Sequence, residues 1–338
     1  MNIQYNISLR PFNTFGMDVH ARKMVTIEHE AELLTWLNES SVHDETLFIL
    51  GGGSNILFTR DIEDTVLHNK IAGVEVVNEE EDHIYIKAGA GVNWHSLVMH
   101  CVERGWAGME NLALIPGNVG ASPMQNIGAY GVELKDVFHE LEAIHLHQKE
   151  KVVFQLKDCE LGYRESVFKN KYKGQFIITS VTYKLNKKPV YQTGYGAIQQ
   201  ELERMGVKDL SIAAIAQAVM QIRRSKLPDP SQIGNAGSFF KNPEIEKYQY
   251  IQLQALFPQI VGYVLAQDKV KLAAGWLIEQ CGWKGFRKGD AGCHEKQALV
   301  LVNHAHAQGA EIIALSQEII ASVKEKFGVR LEREVNVY

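Results

Sequence analysis

The sequence of 338 residues has few cysteines, little excess charge and no long hydrophobic run, and each shortage excludes a class of protein. A net charge of −5 argues against a nucleic-acid partner and against an anionic membrane surface. No apolar run approaches the roughly 20 residues that span a bilayer, and the N-terminus lacks a signal-peptide pattern. The four cysteines are far apart with no CxxC pair, which argues against a disulfide scaffold and a zinc site: Cys101, Cys159, Cys281 and Cys293. We therefore expect a cytoplasmic globular protein without membrane insertion and without a metal.

Apolar periodicity predicts an α+β protein of two or three domains. Alternating patterns predict strands at 46–50, 176–185 and 329–338, and hairpins pairing 73–77 with 83–88 and 138–147 with 152–156. Helical spacing predicts helices at 26–38, after Asn93, at 212–226 behind Ser211, at 271–280 and at 310–327. The polar pair Lys187-Lys188 before Pro189 is typical of a linker, so we expect a division near residue 188.

Two glycine-rich segments, LGGGSN (50–55) and LIPGNVGASPMQNIGAYGVE (114–133), favour a phosphate-bearing ligand. Consecutive residues with small side chains let backbone N–H groups converge on an anion. The first segment is no dinucleotide fingerprint, because Ile56 stands where the third glycine is required, and a plain loop after a strand is its alternative. The second indicates a loop that binds the pyrophosphate and heterocycle of a large cofactor, with a structural Ω-loop as the alternative.

Further motifs extend along almost the whole chain, in order: RPFNTFG (10–16), LGGGSN (50–55), IPGNVGASPMQNIGAYG (115–131), GYRESVFK (162–169), KLPDP (226–230), GNAGSFFKNP (234–243), AGWLIEQCGWKG (274–285) and LEREV (331–335). On these motifs the sequence resembles the UDP-N-acetylenolpyruvoylglucosamine reductase family, flavoenzymes of bacterial peptidoglycan precursor synthesis. YGAIQQEL (195–202) and GYVLAQDKVKL (262–272) are similar to the longer family type, in which a tyrosine-bearing loop closes over the nucleotide.

The resemblance implies an FAD-binding fold of the vanillyl-alcohol-oxidase/p-cresol-methylhydroxylase type. Its two α+β lobes are expected at 1–70 and 71–188. A C-terminal α+β substrate domain is expected at 189–338, with a final strand that returns a catalytic glutamate to the site.

The resemblance also implies a cofactor and a reaction. NADPH reduces non-covalent FAD, and the reduced flavin passes a hydride to the enol ether of UDP-N-acetylglucosamine enolpyruvate, giving UDP-N-acetylmuramate. The implied cofactor-binding residues lie in the two glycine-rich segments: Gly51, Gly52, Gly53, Ser54, Asn55, Pro116, Gly117, Asn118, Val119, Gly120, Ala121, Ser122, Gln125, Asn126, Gly128, Ala129, Tyr130 and Gly131.

Ser238 lies in GNAGSFF, which is not a G-x-S-x-G nucleophile elbow because Phe240 occupies the second glycine's place. The resemblance implies that Ser238 is the proton donor. Phe239 and Phe240 would keep water away and Gly237 would let substrate approach. A serine that merely satisfies its own turn is the alternative.

An enediolate-like intermediate needs a cation and a further polar group beside its carboxylate. Arg164 suits the cation, because its planar guanidinium grips a carboxylate through two bonds; a surface ion pair is the alternative. Strand periodicity puts Glu332 and Glu334 on one face and cannot choose between them. The match of LEREV to the family selects Glu334, which would act protonated, or through Arg164 or water.

For the nucleotide-sugar, the resemblance implies six residues: Tyr163, Tyr195, Lys226, Asn242, Tyr263 and Gln297. Arg223 and Arg224, one turn before Lys226, would add to a diphosphate grip, although cations also suit a helix C-terminus for its dipole alone. Two rival functions are an oxidase of the same fold and a UDP-sugar-binding module or serine-dependent transferase without flavin. We expect small-molecule partners only and a monomer.

Overall fold

The structure, a computed structural model, describes residues 1–39 and 46–338. In chain order its first elements are β1 (Asn2–Ser8), β2 (His20–Ile27), α1 (Glu30–Asn38), β3 (Leu47–Leu50), β4 (Ile56–Leu57), β5 (Ile62–Asn69), β6 (Val74–Glu79), β7 (His83–Gly89), α2 (Trp94–Glu103), β8 (Gly128–Ala129), β9 (Val132–Glu133) and β10 (Phe138–His145). They are followed by β11 (Lys151–Gln155), α3 (Leu156–Cys159), β12 (Phe176–Asn186), α4 (Gly196–Arg204), α5 (Ile212–Lys226), β13 (Gly234–Ser238), β14 (Glu244–Glu246), α6 (Lys247–Leu256), β15 (Gly262–Val264), β16 (Lys269–Leu272), α7 (Ala274–Gln280), β17 (Arg287–Lys288), β18 (Ala291–Cys293), β19 (Val300–Asn303), α8 (Gly309–Phe327) and β20 (Asn336–Val337).

Contacts divide the chain into two units. Unit 1 comprises Met1–Ile7, Ala21–Gly52 and Ile62–Ser225; unit 2 comprises Ser8–His20, Gly53–Asp61 and Lys226–Tyr338. Residues 189–225, which contain α4 and most of α5, are thus grouped with unit 1. The predicted division into three parts at residues 70 and 188 refers to ligand-binding lobes rather than to these two units, and it stays a prediction.

Unit 1 contains two main sheets. The four-stranded sheet has the order β1-β2-β5-β3, with β5 parallel to both β2 and β3. The five-stranded sheet is antiparallel in the order β11-β10-β12-β7-β6. A large apolar core includes side chains of β7, β10, β12, α2 and α5, and a smaller one joins α1 to β2 and β5. The larger core supports the loop that follows α2.

Helix α2 shows why local sequence was informative in unit 1. The Asn93 side chain accepts a hydrogen bond from the Ser96 N–H at 3.0 Å, as an N-cap does. The predicted apolar face (Trp94, Leu97, Val98 and Cys101) is buried. The predicted helix after Asn93 is therefore confirmed as α2. The two predicted hairpins are confirmed by the pairing of β6 with β7 and of β10 with β11. The predicted strands at 46–50 and 176–185 are confirmed as β3 and β12.

Unit 2 contains an antiparallel sheet in the order β13-β19-β18-β17 and a smaller one in the order β14-β16-β15. Helix α8 packs on β18 and β19 and contacts α7. Gly328 ends α8 in the left-handed conformation with φ 67°, so the predicted helix at 310–327 and its glycine stop are confirmed.

Two secondary-structure predictions were wrong at their ends. Thr26 and Ile27 are not helical, because they pair with His68 and Asn69 of β5. Lys271 and Leu272 belong to β16, which lies between β14 and β15, and α7 begins only at Ala274. In each case pairing with a distant strand overrides the local helical spacing.

The predicted terminal strand at 329–338 was also wrong over most of its length. Only Asn336–Val337 forms a strand, parallel to β4, and Arg333 makes an isolated bridge with Phe240. Alternation at Val329 and Leu331 is real, because both are buried, but it reflects packing rather than a continuous ladder.

Candidate active site

The long glycine-rich loop is held on the segment before α2 by backbone hydrogen bonds. The N–H of Val119 donates to the carbonyl of Val92 at 2.9 Å, and the N–H of Trp94 donates to the carbonyl of Gly117 at 3.0 Å. The N–H of Gly120 donates to the carbonyl of Ala90 at 2.9 Å, and a Cβ on Gly120 would lie 2.6 Å from the Ala90 Cβ. The glycine is therefore required for this close approach.

Within unit 1, the structure brings Gly52 of the first glycine segment close to the second segment. A Cβ added to Gly52 would lie 3.0 Å from the Gly117 Cα and 3.0 Å from the Asn118 Oδ1. Gly52 is exposed and Gly117 is half-buried, so at these two positions the surface presents backbone without side chains. Such a cradle fits a group that needs backbone N–H donors and close approach, as the pyrophosphate of FAD does.

Two of the predicted cofactor residues use their side chains inside the loop. The Ser122 hydroxyl donates to the Val119 carbonyl at 2.7 Å and lies 3.2 Å from the Tyr183 hydroxyl, both hydroxyls being buried. The Asn126 amide donates to the Gly162 carbonyl at 3.0 Å, and its oxygen accepts from the Lys135 N–H at 3.0 Å. These two side chains therefore fix the shape of the loop.

Arg164 is positioned by a tight turn against this loop. Gly162 and Glu165 bond through their backbones at 3.0 Å and 3.4 Å, which leaves Tyr163 and Arg164 at the tip. The Arg164 guanidinium donates to the Gly128 carbonyl at 3.0 Å and lies 5.6 Å from the centre of the Tyr163 ring. The predicted cation, its neighbouring tyrosine and the predicted cofactor loop are therefore adjacent in unit 1.

Tyr195 also packs against the cofactor loop. Its ring centre is 5.6 Å from that of Tyr130, with the two planes at 83°. Arg223 on α5 shares a hydrogen bond with the Tyr130 hydroxyl, and burial lowers the pKa of this guanidinium while it raises the pKa of the phenol. Arg223 also donates from Nε to the Leu114 carbonyl at 3.1 Å. Arg224 is exposed.

Ser238 ends strand β13 of unit 2. It pairs with Val300 of β19, and the N–H of Phe239 donates to the Leu299 carbonyl at 2.7 Å. Phe239 and Phe240 are 0% and 1% exposed, so they anchor in the core. Ser238 itself is half-buried and remains accessible.

Glu334 is brought beside this serine by the last segment of the chain. Its N–H donates to the carbonyl of Phe239 at 2.8 Å, one residue after Ser238. The Asn55 amide donates to the Glu334 carbonyl at 3.3 Å, so this predicted cofactor residue also fixes the glutamate. Glu332 is exposed, lies 3.8 Å from the Lys241 ammonium and is the surface member of the pair.

The remaining predicted substrate residues are placed differently. The Asn242 oxygen accepts from the N–H of Ala274 at 3.0 Å, at the start of α7. A Cβ on Gly275 would lie 3.0 Å from the Gln297 Oε1, so Asn242 and Gln297 meet at the same helix end. Tyr263 is exposed on β15, and Lys226 is the exposed last residue of α5.

Two residues near the cofactor loop were missed from the sequence. Asn111 is buried below the loop, and His95 accepts a hydrogen bond from the Leu114 N–H at its Nδ1, at 3.1 Å. Neither residue belongs to a motif, and His95 was indistinguishable from any other polar position of an amphipathic helix. Among the residues that the structure describes, no group of three or more His, Cys, Asp or Glu side chains could hold a metal ion.

Two family models match the chain. The FAD binding domain matches residues 21–148, and the UDP-N-acetylenolpyruvoylglucosamine reductase C-terminal domain matches residues 229–338. The first covers α1, α2 and the cofactor loop of unit 1, and the second covers Ser238 and Glu334. The predicted α+β fold with an FAD-binding domain is confirmed, and FAD is the cofactor.

Relatives named UDP-N-acetylenolpyruvoylglucosamine reductase match the whole chain. One from Amoebophilus asiaticus is 50% identical over 337 residues, covering 100% of this chain and 99% of the relative. One from Flavobacterium johnsoniae is 46% identical over 338 residues, with 100% of both chains covered. The crystal structure of a UDP-N-acetylenolpyruvylglucosamine reductase from Thermus caldophilus has the same fold, with a TM-score of 0.67 at 24% identity, covering 100% of this chain and 99% of its own. Because relatives this similar align from end to end, the chain belongs to the UDP-N-acetylenolpyruvoylglucosamine reductase family of FAD-dependent oxidoreductases.

Proposed function

We propose that this enzyme uses NADPH to reduce the enol ether of UDP-N-acetylglucosamine enolpyruvate to UDP-N-acetylmuramate. The observation that carries the proposal is the position of Arg164. Its guanidinium donates to the carbonyl of Gly128 in the cofactor loop, so a fixed positive charge lies beside that loop. A reaction that develops negative charge on a carboxylate next to the flavin needs a preorganised cation at this place.

The residues that would hold FAD are those predicted from the two glycine-rich segments: Gly51, Gly52, Gly53, Ser54 and Asn55 after β3, and residues 116–131 of the long loop. When bound, FAD supplies the hydride. The protein supplies the rest: Arg164 grips the carboxylate of the substrate and stabilises the charge that develops on it.

Ser238 would then give its hydroxyl proton to the substrate carbon. A hydroxyl of ordinary acidity suffices for a carbanion-like centre, provided that bulk water is kept away. The buried rings of Phe239 and Phe240 fix the backbone on one side of the serine. Glu334, tied to the Phe239 carbonyl, would support the carboxylate in its protonated form or through Arg164 or water.

The nucleotide-sugar would be held by Tyr163, Tyr195, Lys226, Asn242, Tyr263 and Gln297. Support comes from the contact of Tyr195 with Tyr130 and from the positions of Asn242 and Gln297, which both lie at the start of α7. Arg223 is already bonded to Tyr130 and Leu114, so we assign the diphosphate to Lys226 rather than to Arg223.

We also propose that the enzyme is a monomer and that it lies in the bacterial cytoplasm, where its nucleotide substrates are made. No helix in the described parts of the chain is long and apolar enough to cross a membrane.

The experiment is an absorption spectrum of the purified protein, followed under anaerobic conditions by NADPH and then by UDP-N-acetylglucosamine enolpyruvate. We expect a flavin band that NADPH bleaches and the enolpyruvyl sugar restores. Restoration by oxygen but not by the sugar would favour an oxidase. Folded protein that takes up no flavin would favour a nucleotide-sugar-binding module and end the proposal.

A further inference from the structure

Asn111 lies in a buried turn just before the cofactor loop. The side chain is 1% exposed, and so is that of its neighbour Glu110. The Glu110 carboxylate accepts from the N–H of Gly108 at 2.6 Å and fixes this turn. A buried asparagine at such a place has to satisfy its amide hydrogens inside the protein.

The two hydrogens of the Asn111 amide go to two different segments. One is donated to the carbonyl of Tyr130, at the end of the cofactor loop, at 3.0 Å. The other is donated to the carbonyl of Gln192, three residues before Tyr195, at 2.8 Å. One side chain therefore ties the cofactor loop to the segment that carries a nucleotide-binding tyrosine.

A second set of contacts joins the same two segments. The Tyr195 ring packs edge-on against the Tyr130 ring. Arg223 bonds both the Tyr130 hydroxyl and the Leu114 carbonyl, so it joins the two ends of the loop to α5. Tyr130 and Tyr195 are thus in contact through their rings, and Asn111 bonds to the backbone of both segments.

We propose that Asn111 is a positioning residue that couples the FAD loop to the Tyr195 segment, so that bound FAD strengthens binding of the nucleotide-sugar. The coupling rests on the proposed function, which assigns the two segments to these two ligands. A ligand that orders Tyr130 also orders part of the Tyr195 segment. Less conformational entropy is then lost when the second ligand binds, so the second ligand binds more tightly.

The test is calorimetric binding of UDP-N-acetylmuramate, the product without the reducible enol ether, to the full chain with and without FAD. In the wild type we expect FAD to tighten binding at least about fivefold, the lower end of ordinary coupling between sites. In Asn111→Ala we expect that ratio to fall below the wild-type value, with the loss confined to the FAD-loaded form, because only the contribution that passes through Asn111 is removed.

Asn69→Ala is the matched control, because Asn69 is also buried in unit 1 and donates its amide to the Ile178 carbonyl at 2.9 Å, away from both segments. It should keep the wild-type ratio. An equal loss in the control, or an unchanged ratio in Asn111→Ala, would overturn the coupling while leaving the proposed function intact. No binding of the product to FAD-loaded wild type would instead overturn both.

Hydrogen exchange of the wild type tests the coupling even if Asn111→Ala does not fold. Adding FAD should slow exchange of backbone amides in residues 114–131 and also in residues 192–198. Protection confined to 114–131 would contradict the coupling, and protection of neither segment would contradict the cofactor assignment itself.

Discussion

Arg164 in unit 1 and Ser238 in unit 2 both depend on a left-handed backbone position, but a different kind of residue occupies it in each unit. Arg164 itself has φ 57°, whereas Ser238 follows Gly237, which has φ 68°. Glycine takes this conformation freely, while a residue with a side chain incurs roughly 1–2 kcal/mol. At residue 164 the side chain with the proposed function stands at the left-handed position itself. A glycine there would relieve the strain but would lack the guanidinium.

The surrounding bonds differ accordingly. The Arg164 turn is closed by Gly162 and Glu165 and tied to the cofactor loop by the Asn126 amide. In the Gly237 turn the glycine N–H donates to the Asn235 Oδ1 at 3.0 Å. A strained residue with a side chain persists only where its neighbours impose the conformation, and the Arg164 turn has such neighbours.

The largest expected effect is on the chemistry of unit 2. Ser238→Ala should lower kcat by about 10²–10⁴, because a positioned proton donor contributes that much. NADPH should still bleach the flavin, since the change leaves unit 1 intact. Stopped-flow absorbance of the two half-reactions measures both effects. Equal slowing of both would show that Ser238 is not confined to the proton step.

Two substitutions of Arg164 should separate its contribution to activity from the backbone strain of its left-handed conformation. Arg164→Ala and Arg164→Gly should each lower kcat by about 10²–10³ through loss of charge stabilisation. Arg164→Gly should also be more stable than Arg164→Ala by roughly 1 kcal/mol, because only glycine relaxes the left-handed position. Urea unfolding of both variants measures the difference. Equal stabilities would mean that the turn carries no strain.

Gly237→Ala should destabilise the protein by roughly 1–2 kcal/mol, since it introduces in unit 2 the strain that Arg164 carries in unit 1. A Cβ there meets nothing within 4 Å, so the effect comes from the backbone alone. Gly105→Ala is the control, with φ 76° and equally open space. Both variants should lower the free energy of unfolding by similar amounts, and only Gly237→Ala should lower kcat.

The smallest expected effect is on the pH dependence of stability and involves Leu114, a further left-handed residue of unit 1 with φ 61°. Its N–H bonds to the Nδ1 of His95, whose pKa is lowered from its usual 6.5 by burial and by the charges of Arg224 and Arg223. The unfolded chain then takes up this proton more readily than the folded one, so stability falls as pH drops from about 6.5 through the folded pKa.

His95→Gln keeps an oxygen that can accept from Leu114 but does not titrate. Thermal unfolding between pH 7.5 and 5, a range of about one to two units around the usual pKa, should show a smaller loss of Tm in this variant than in the wild type. Identical pH profiles would exclude His95 as the source of the dependence.

Prediction from the sequence succeeded where structure is local. The N-cap Asn93, the glycine stop at Gly328 and the alternating hairpins depend on neighbours within a few residues, and all are found as expected. Prediction failed at Thr26–Ile27 and Lys271–Leu272, where pairing with distant strands decided the structure. The family motifs identified the segments bearing Arg164, Ser238 and Glu334, although strand spacing alone could not separate Glu332 from Glu334.

Family motifs along the chain were enough to predict the fold class and the FAD cofactor, because a long motif is recognisable without knowledge of the folded structure. The side chains that hold the motif-bearing segments in place were found only in the folded chain. Asn111 and Arg223 bond to carbonyl groups far away in the chain, and Asn55 bonds to the carbonyl of Glu334. A carbonyl is present at every residue, so no sequence pattern marks the one that a buried side chain will reach.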